Sequence, residues 1–362
     1  MLRVIELFGG IGACTKALER LNIPHEVVDY VEIDKYAVKS FNAVHGTNFE
    51  PQDITKWDKD LECDLIMHGS PCQDFSAAGK GAGGDEGSGT RSSLMYETLR
   101  IVDKLKPKYV IWENVKNLLS KKHRHNFDAY LKKMDELGYR NYYQVLNAKN
   151  YGVPQNRERV FTISIRKDVS DEEFIFPEPI HLDRRLKDML EDVVDDKYFL
   201  SNDRLDAIYK WEQRQKENGR GFRFEVKNGN SIGRAITTSG DRPSSTNYVT
   251  IRTANKKGYD IATEGDGVDL AYQESNTRRG RVGHGVAKTL PTSDSQGVLD
   301  GVRIRKLTPK ECWRLMGFDD SDFEKAEKVN SNTQLYKQAG NSIVVNVLEA
   351  ILSNLVGEKH GR

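Results

Sequence analysis

Short apolar runs alternate with stretches of helical period through the first half of the chain. "RVIELF" (3–8), "EVVDYVEI" (26–33), "DLIMHGS" (64–70), "YVIWENV" (109–115), "YYQVLNA" (142–148) and "RVFTISI" (159–165) are rich in aliphatic and aromatic residues and predict strands. Segments near 12–21, 35–44, 92–105 and 124–137 carry apolar residues at helical spacing and predict helices between most of these strands. Strand followed by helix followed by strand favours parallel pairing, so the pattern implies an α/β fold: a parallel sheet with helices on both faces.

That rhythm stops near Phe174. From there to about Asp300 the chain is rich in Gly, Ser, Thr, Asn and charge, with only short β-like pieces such as "RAITTS" and "NYVTIRT", which predicts a smaller irregular domain. Helical periodicity returns in "LTPKECWRLMGF" and in "NSIVVNVLEAILSNLVG", where Ile343, Val344, Val347, Leu348, Ile351, Leu352 and Leu355 form one apolar stripe. The expected division is therefore 1–173, 174–300 and a return segment, 301–362, that completes the first unit.

Composition adds less than distribution does. The 362 residues suffice for a large domain with a smaller one. A net charge of +1 neither suggests nor excludes a polyanionic partner, but Trp211 to Lys310 holds 18 Lys and Arg against 11 Asp and Glu, an excess of 7 that leaves the remainder at −6. Cys14, Cys63, Cys72 and Cys312 form no CxxC pair and no zinc-type spacing, so neither a disulfide framework nor a metal site is expected and a reducing compartment fits. "MLRVIELFGG" places no charged leader before a long apolar core, and no apolar run of about 18 residues occurs, so a soluble, cytoplasmic protein without membrane association is expected.

Candidate chemistry gathers at the predicted strand ends. "FGGIGA" (8–13) opens the first helix, and Glu32 stands near the tip of the second strand. Glycines there let backbone approach a ligand, and a carboxylate at that tip can accept hydrogen bonds from two ribose hydroxyls; a tight turn beside an exposed acid is the plainer alternative. Glycines at 9, 10 and 12, with Thr15 where the last of a dinucleotide pattern would fall, weaken NAD or FAD and leave room for a ligand without pyrophosphate, such as S-adenosylmethionine.

Cys72, in "GSPCQDFS" (69–76), lies just beyond the third strand, on the edge where open α/β sheets bind ligands. A lone cysteine is commonly a small buried hydrophobe, yet its thiolate is a strong nucleophile. Glu113 in "WENV" ends the next strand on the same edge. Arg157 and Arg159 in "QNRERV", two apart at the start of a later strand, are expected to share one face. Together these residues supply a nucleophile, an acid and paired cations beside a methyl-donor pocket.

In chain order, "ELFGGIG", "VEID", "QDI", "GSPCQDFS", "WENV", "QNRERVF", "RKLTPKECWRLMGF" and "QAGNSIVVNVL" resemble the motifs of the DNA cytosine-5 methyltransferases, over essentially everything outside 174–300. Glu6 and Gly9 stand where that family more often has Asp and Ala, and Ala13 where it often has Gly. The resemblance implies a Rossmann-like S-adenosylmethionine-dependent methyltransferase sheet with a target-recognition domain over 174–300. It implies Cys72 as the nucleophile at carbon 6 of cytosine, Glu113 as the acid at ring nitrogen 3, Arg159 on the carbonyl oxygen and Arg157 orienting the site. For the donor it implies Phe8, Gly10, Ile11 and Gly12 on the methionine and sulfonium side, Glu32 at the ribose, Ile33 on the adenine face and Asp53 and Ile54 at the adenine edge, with Pro71, Asn341 and Ser342 completing the pocket.

The implied substrate is double-stranded DNA from which one cytosine is extruded. The six glycines of Ala78 to Thr90 then suit a lid, and Gln73, Ser76, Arg278, Arg279 and Arg281 are the expected DNA contacts. The expected protein is a monomer of bacterial or phage type, with a cognate restriction endonuclease as a further partner and no metal. Three alternatives stand beside this reading: transfer-RNA cytosine methylation, which the basic recognition segment disfavours; a DNA-binding protein without catalysis, which intact Cys72, Glu113, Arg157 and Arg159 disfavour; and a nicotinamide oxidoreductase, which the incomplete glycine pattern disfavours.

Overall fold

The computed structural model describes residues 1–71, 85, 87, 88, 91–198 and 307–357, together with the backbone of short strand pieces between 226 and 306. Its first part runs β1 (Leu2–Leu7), α1 (Ala13–Arg20), β2 (His25–Val31), α2 (Lys35–His45), β3 (Leu65–His68), α3 (Met95–Leu105), β4 (Tyr109–Val115), α4 (Arg124–Glu136), β5 (Tyr139–Asn147), β6 (Gln155–Asn156) and β7 (Glu158–Arg166). The helices begin and end where local chemistry dictates. Asp34 caps α2 by accepting from the Tyr36 N–H at 3.0 Å, and Gly46, at φ +68°, ends it in the left-handed region.

Six strands form one sheet in the order β2, β1, β3, β4, β7, β5. The first four pair in parallel, as the alternating pattern implies, but β7 runs antiparallel to both of its neighbours. The reason is length: only residues 148–157 connect β5 to β7, and a parallel return needs a crossover of a dozen or more residues. The reversal puts the start of β7 beside the end of β4, with Arg159 opposite Val115 and Phe161 opposite Glu113.

Side chains alternate across the sheet and feed two cores. On one face Ile5, Leu7, Ile66, Val110, Trp112 and Val160 pack with Leu99 and Val102 of α3 and Phe127, Tyr130 and Met134 of α4. On the other, Val4, Leu65, Met67, Ile111, Phe161 and Ile163 pack with α1 and the C-terminal helices. Those helices are α5 (Pro309–Arg314), α6 (Asp320–Glu327), α7 (Asn332–Asn341) and α8 (Val345–Leu352). A capping box starts α5, with Thr308 and Glu311 satisfying each other's backbone N–H and Pro309 in the first turn.

The C-terminal helices tie back to the first unit. Lys16 of α1 meets Asp322 at 2.9 Å, Arg20 meets Glu349 at 3.1 Å, and Lys337 reaches Asp34 at 2.6 Å. The stretch Asn332–Gly357 is long and apolar enough to cross a membrane by composition, but Leu348, Ile351, Leu352 and Leu355 are buried in the core against the sheet. Leu186 and Met189 are buried in that core as well.

His68 closes β3 in the α3/α4 core, fully buried. It stacks on Trp112 with ring centroids 5.6 Å apart, and the Tyr130 hydroxyl lies 3.0 Å from its Nε2. Burial holds its pKa down to about 3, so the unfolded chain takes up the proton first as the pH falls and stability is lost between the unfolded and folded values. The slope is about 1.4 kcal/mol per pH unit. Urea unfolding at pH 7 and pH 5 should show the wild type losing about 2 kcal/mol more than His68→Gln; equal losses would contradict a buried neutral His68.

Candidate active site

The turn from β1 into α1 is built by glycines, two of which leave no room for a side chain. A side chain on Gly9 would begin 2.7 Å from the Tyr30 ring, and one on Gly12, at φ +80°, would begin 2.4 Å from His45 Nε2 and 2.7 Å from the Phe41 ring. Phe8 also lies in the left-handed region, at φ +54°, a conformation that costs a non-glycine residue energy and collects at functional turns. Gly12 has no side chain with which to cap α1, so Glu6 does that work from β1: its Oε1 accepts from the Thr15 N–H at 2.8 Å and from the Thr15 hydroxyl. Burial pushes the Glu6 carboxyl up, and these two hydrogen bonds oppose the shift. Ile11 is buried, its carbonyl 3.2 Å from His45 Nε2.

Glu32 faces this turn from the tip of β2. Its Oε2 accepts from the Gly10 N–H at 3.2 Å and its Oε1 from the Asp34 N–H at 2.8 Å. Burial raises its pKa, with the backbone hydrogen bonds acting against that. The Tyr30 hydroxyl donates to the Gly10 carbonyl, fixing the same glycine from below. Ile33 is 69% exposed, unusual for an isoleucine inside a short structured turn. The Gln52 N–H donates to the Glu32 carbonyl at 2.8 Å, which brings Asp53 and Ile54 alongside. Ile54 is buried; hydrogen bonds from the Thr55 hydroxyl and N–H hold the Asp53 carboxyl below its usual range. In front of Gly10, at φ +57°, a side chain would meet nothing within 4 Å. Open space over a glycine, a carboxylate and an exposed apolar face suit a nucleoside bearing a charged side chain.

Strand β4 organises the second half of the site. Glu113 is buried, and its Oε1 lies 3.0 Å from Arg159 Nε, an ion pair not aligned as a hydrogen bond. Arg159 Nη1 donates to the Glu158 carbonyl at 2.8 Å. Gly69 faces the same carboxyl: a side chain there would begin 3.9 Å from Glu113 Oε2 and 3.5 Å from Ile343 Cδ1. The strand neighbours of Glu113 turn the other way. Trp112 Nε1 donates to Ser70 Oγ at 3.0 Å, and Asn114 Nδ2 donates to the Ser70 carbonyl at 3.3 Å.

Arg157 and Arg159 have different partners. Arg157 precedes β7, and its buried Nη2 donates to the carbonyls of Gly340 at 3.1 Å and Ser342 at 2.8 Å. These two carbonyls bracket Asn341, which is exposed, while Ser342 is buried. Gln155 Nε2 donates to the Leu315 carbonyl, so two side chains of "QNRERV" hold the return segment and the third meets Glu113. Pro71 is half-buried at the end of the described strand exit.

Cys72, Gln73, Ser76, Arg278, Arg279 and Arg281 lie outside the described residues, as does the glycine-rich stretch 78–90 apart from Asp85, Gly87 and Ser88. Asp85 Oδ1 accepts from Asn126 Nδ2 at 2.6 Å and sits 2.9 Å from His125 Nε2. Cys14, Cys63 and Cys312 are buried; burial raises the Cys63 thiol to about 12, which leaves it unreactive. Among the described residues no group of three or more His, Cys, Asp and Glu side chains could hold a metal ion. Sequence reasoning passed over Ser70, Trp112 and Asn114. Alternation in a strand signals only that the residues flanking Glu113 face away from it together, and not what they meet there.

The sequence model of the C-5 cytosine-specific DNA methylases matches residues 2–357. The chain is 35% identical to the orphan methyltransferase M.SPRI of Bacillus phage SPR, covering 98% of this chain and 97% of that one. It is 33% identical to the type II methyltransferase M2.ScrFI of Lactococcus lactis subsp. cremoris, covering 98% and 99%. Among solved structures, the S. pombe Dnmt2 methyltransferase superposes with a TM-score of 0.67 at 21% identity, covering 99% of this chain and all of that one, a likeness of fold.

The two kinds of glycine in the β1–α1 turn should separate experimentally. Gly12→Ala combines a left-handed backbone with a clash against His45 and Phe41 and should destabilise the protein by about 2–4 kcal/mol. Gly10→Ala meets no neighbour; it should cost about 1 kcal/mol and lose affinity for S-adenosylmethionine instead. Thermal unfolding and titration calorimetry read both effects; equal stability of the two variants would contradict the packing described.

Proposed function

We propose, from the premise that this chain belongs to the C-5 cytosine-specific DNA methylase family and methylates DNA cytosine at carbon 5, that the edge formed by Glu113, Arg159 and the chain entering Cys72 holds the target base. The observation that carries this reading is the buried Glu113 carboxyl, paired with Arg159 at 3.0 Å and with its other oxygen toward the space over Gly69. That is a site for a ring that needs an acid at one edge and a cation at a neighbouring carbonyl.

S-adenosylmethionine, when bound, supplies an electrophilic methyl group on a sulfonium. Phe8, Gly10, Ile11, Gly12, Glu32, Ile33, Asp53, Ile54 and Pro71 would hold it along the open turn, with Asn341 and Ser342 from the return segment. Arg157 acts there as a positioning residue, because its guanidinium sets the carbonyls on either side of Asn341.

The chain's own chemistry starts at Cys72. Its thiolate adds to carbon 6 of cytosine, and the electron pair of the 5,6 double bond is displaced so that carbon 5 becomes nucleophilic. Negative charge grows on the ring at nitrogen 3 and the carbonyl oxygen. Glu113 shares a proton with nitrogen 3 and Arg159 faces the oxygen, both placed before the charge appears. After methylation a base takes the proton from carbon 5, the pair re-forms the 5,6 double bond, and the carbon–sulfur bond breaks to return the thiolate.

The same proposal assigns duplex recognition to 174–300, with Arg278, Arg279 and Arg281 contacting DNA beside Gln73 and Ser76, in a cytoplasmic enzyme that acts as a monomer. A cognate restriction endonuclease enters it through the relative called a type II methyltransferase.

Bisulfite sequencing of DNA from cells expressing the chain should reveal methylated cytosine in one sequence context. A duplex of that sequence with 5-fluorocytosine at the target should give a denaturation-resistant adduct with the wild type in the presence of S-adenosylmethionine, since fluorine cannot leave as a proton does. Cys72→Ala should give none while still binding the donor. Equal adduct from the alanine variant would overturn the assignment.

A further inference from the structure

Glu113 and the chain that leads into Cys72 are held by the same strand, from opposite faces. Ser70, two residues before Cys72, is 3% exposed. Its hydroxyl accepts from the Trp112 indole at 3.0 Å, and its carbonyl accepts from Asn114 at 3.3 Å. Glu113 lies between those two donors in sequence and faces away from both, toward Arg159 and Gly69. Behind Trp112 stands a rigid backing: the ring stacks on His68 at an interplanar angle of 6°, and Tyr130 packs against it with centroids 4.1 Å apart. Trp112 is therefore fixed from the core, and its N–H points to the strand exit.

We propose that the Trp112 indole and the Ser70 hydroxyl form a positioning pair that sets where the chain departs toward Cys72 relative to Glu113. The inference rests on the reading of Cys72 as nucleophile and Glu113 as acid. Neither Trp112 nor Ser70 touches the base. They act by registering the exit of β3 on the strand that carries the acid, so that the two reacting groups share one frame. A buried indole N–H is also costly to leave unpaired, so the hydroxyl cannot drift without penalty. A displacement of about 1 Å at a reacting group can lower a rate 100-fold, so a single neutral hydrogen bond controlling that placement should be worth about tenfold.

The test uses the full-length protein and the 5-fluorocytosine duplex, following the single-turnover rate of covalent adduct formation at saturating DNA and S-adenosylmethionine. Ser70→Ala should slow adduct formation about tenfold, with DNA and donor affinities within about twofold of wild type and circular dichroism unchanged. Trp112→Phe removes the same hydrogen bond from its other end and should show a similar loss, and the double variant should be no slower than the slower single variant. Ser70→Ala adducts forming at the wild-type rate would overturn the pairing while leaving the function intact, as would rate losses that multiply in the double variant. Loss of rate only in proportion to lost DNA or donor affinity would assign Ser70 to binding and also overturn it. Absence of adduct from the wild type would instead strike the reading beneath it.

Discussion

The short link between β5 and β7 is the constraint on which the site depends. Residues 148–157 cannot form a crossover, so β7 must run against β4, and its first residues arrive at the edge where β4 ends. Without that reversal Arg159 would stand at the far end of the sheet, a strand length of about 3.3 Å per residue away from Glu113. With it, Arg159 reaches the Glu113 carboxyl at 3.0 Å, and both side chains occupy the sheet face covered by the return segment. The antiparallel strand thus converts a generic α/β edge into a site with a buried carboxyl and its own cation.

The return segment closes the arrangement from the other side. Arg157 and Gln155 grip Gly340, Ser342 and Leu315, while Lys337, Lys16 and Arg20 tie the same helices to α1 and the tip of β2. The segment that brings Asn341 is therefore fixed both to the strand bearing Arg159 and to the glycine turn. Methyl donor and target base must meet at one carbon, and a scaffold that bolts the two half-sites to the same C-terminal helical segment limits their relative drift.

Much of this was legible in the chain. The β1–α1 glycine turn, Glu32 at the tip of β2 and Glu113 at the end of β4 all follow from period and strand polarity, and the structure places them at one sheet edge. The parallel assignment of β7 failed because apolar period reports that a strand exists and not which way it runs; the length of the preceding link carries that information. That Arg157 and Arg159 would meet different partners, the carbonyls flanking Asn341 and the Glu113 carboxyl, could not be read from their spacing, because the return segment lies far away in sequence. Ser70, Trp112 and Asn114 were hidden because hydrogen bonds between side chain and loop depend on how far β3 and β4 are staggered, which residue types do not encode.

The central claim is that Glu113 and Arg159 work as one unit because β7 delivers them to the same point. A double-mutant cycle on the single-turnover rate of methyl transfer, with Glu113→Gln, Arg159→Gln and the double variant at saturating DNA and donor, tests it directly. The account predicts strongly non-additive losses, with a coupling of about 1–3 kcal/mol. Losses that simply add would mean that the two side chains act independently, and the account would be wrong.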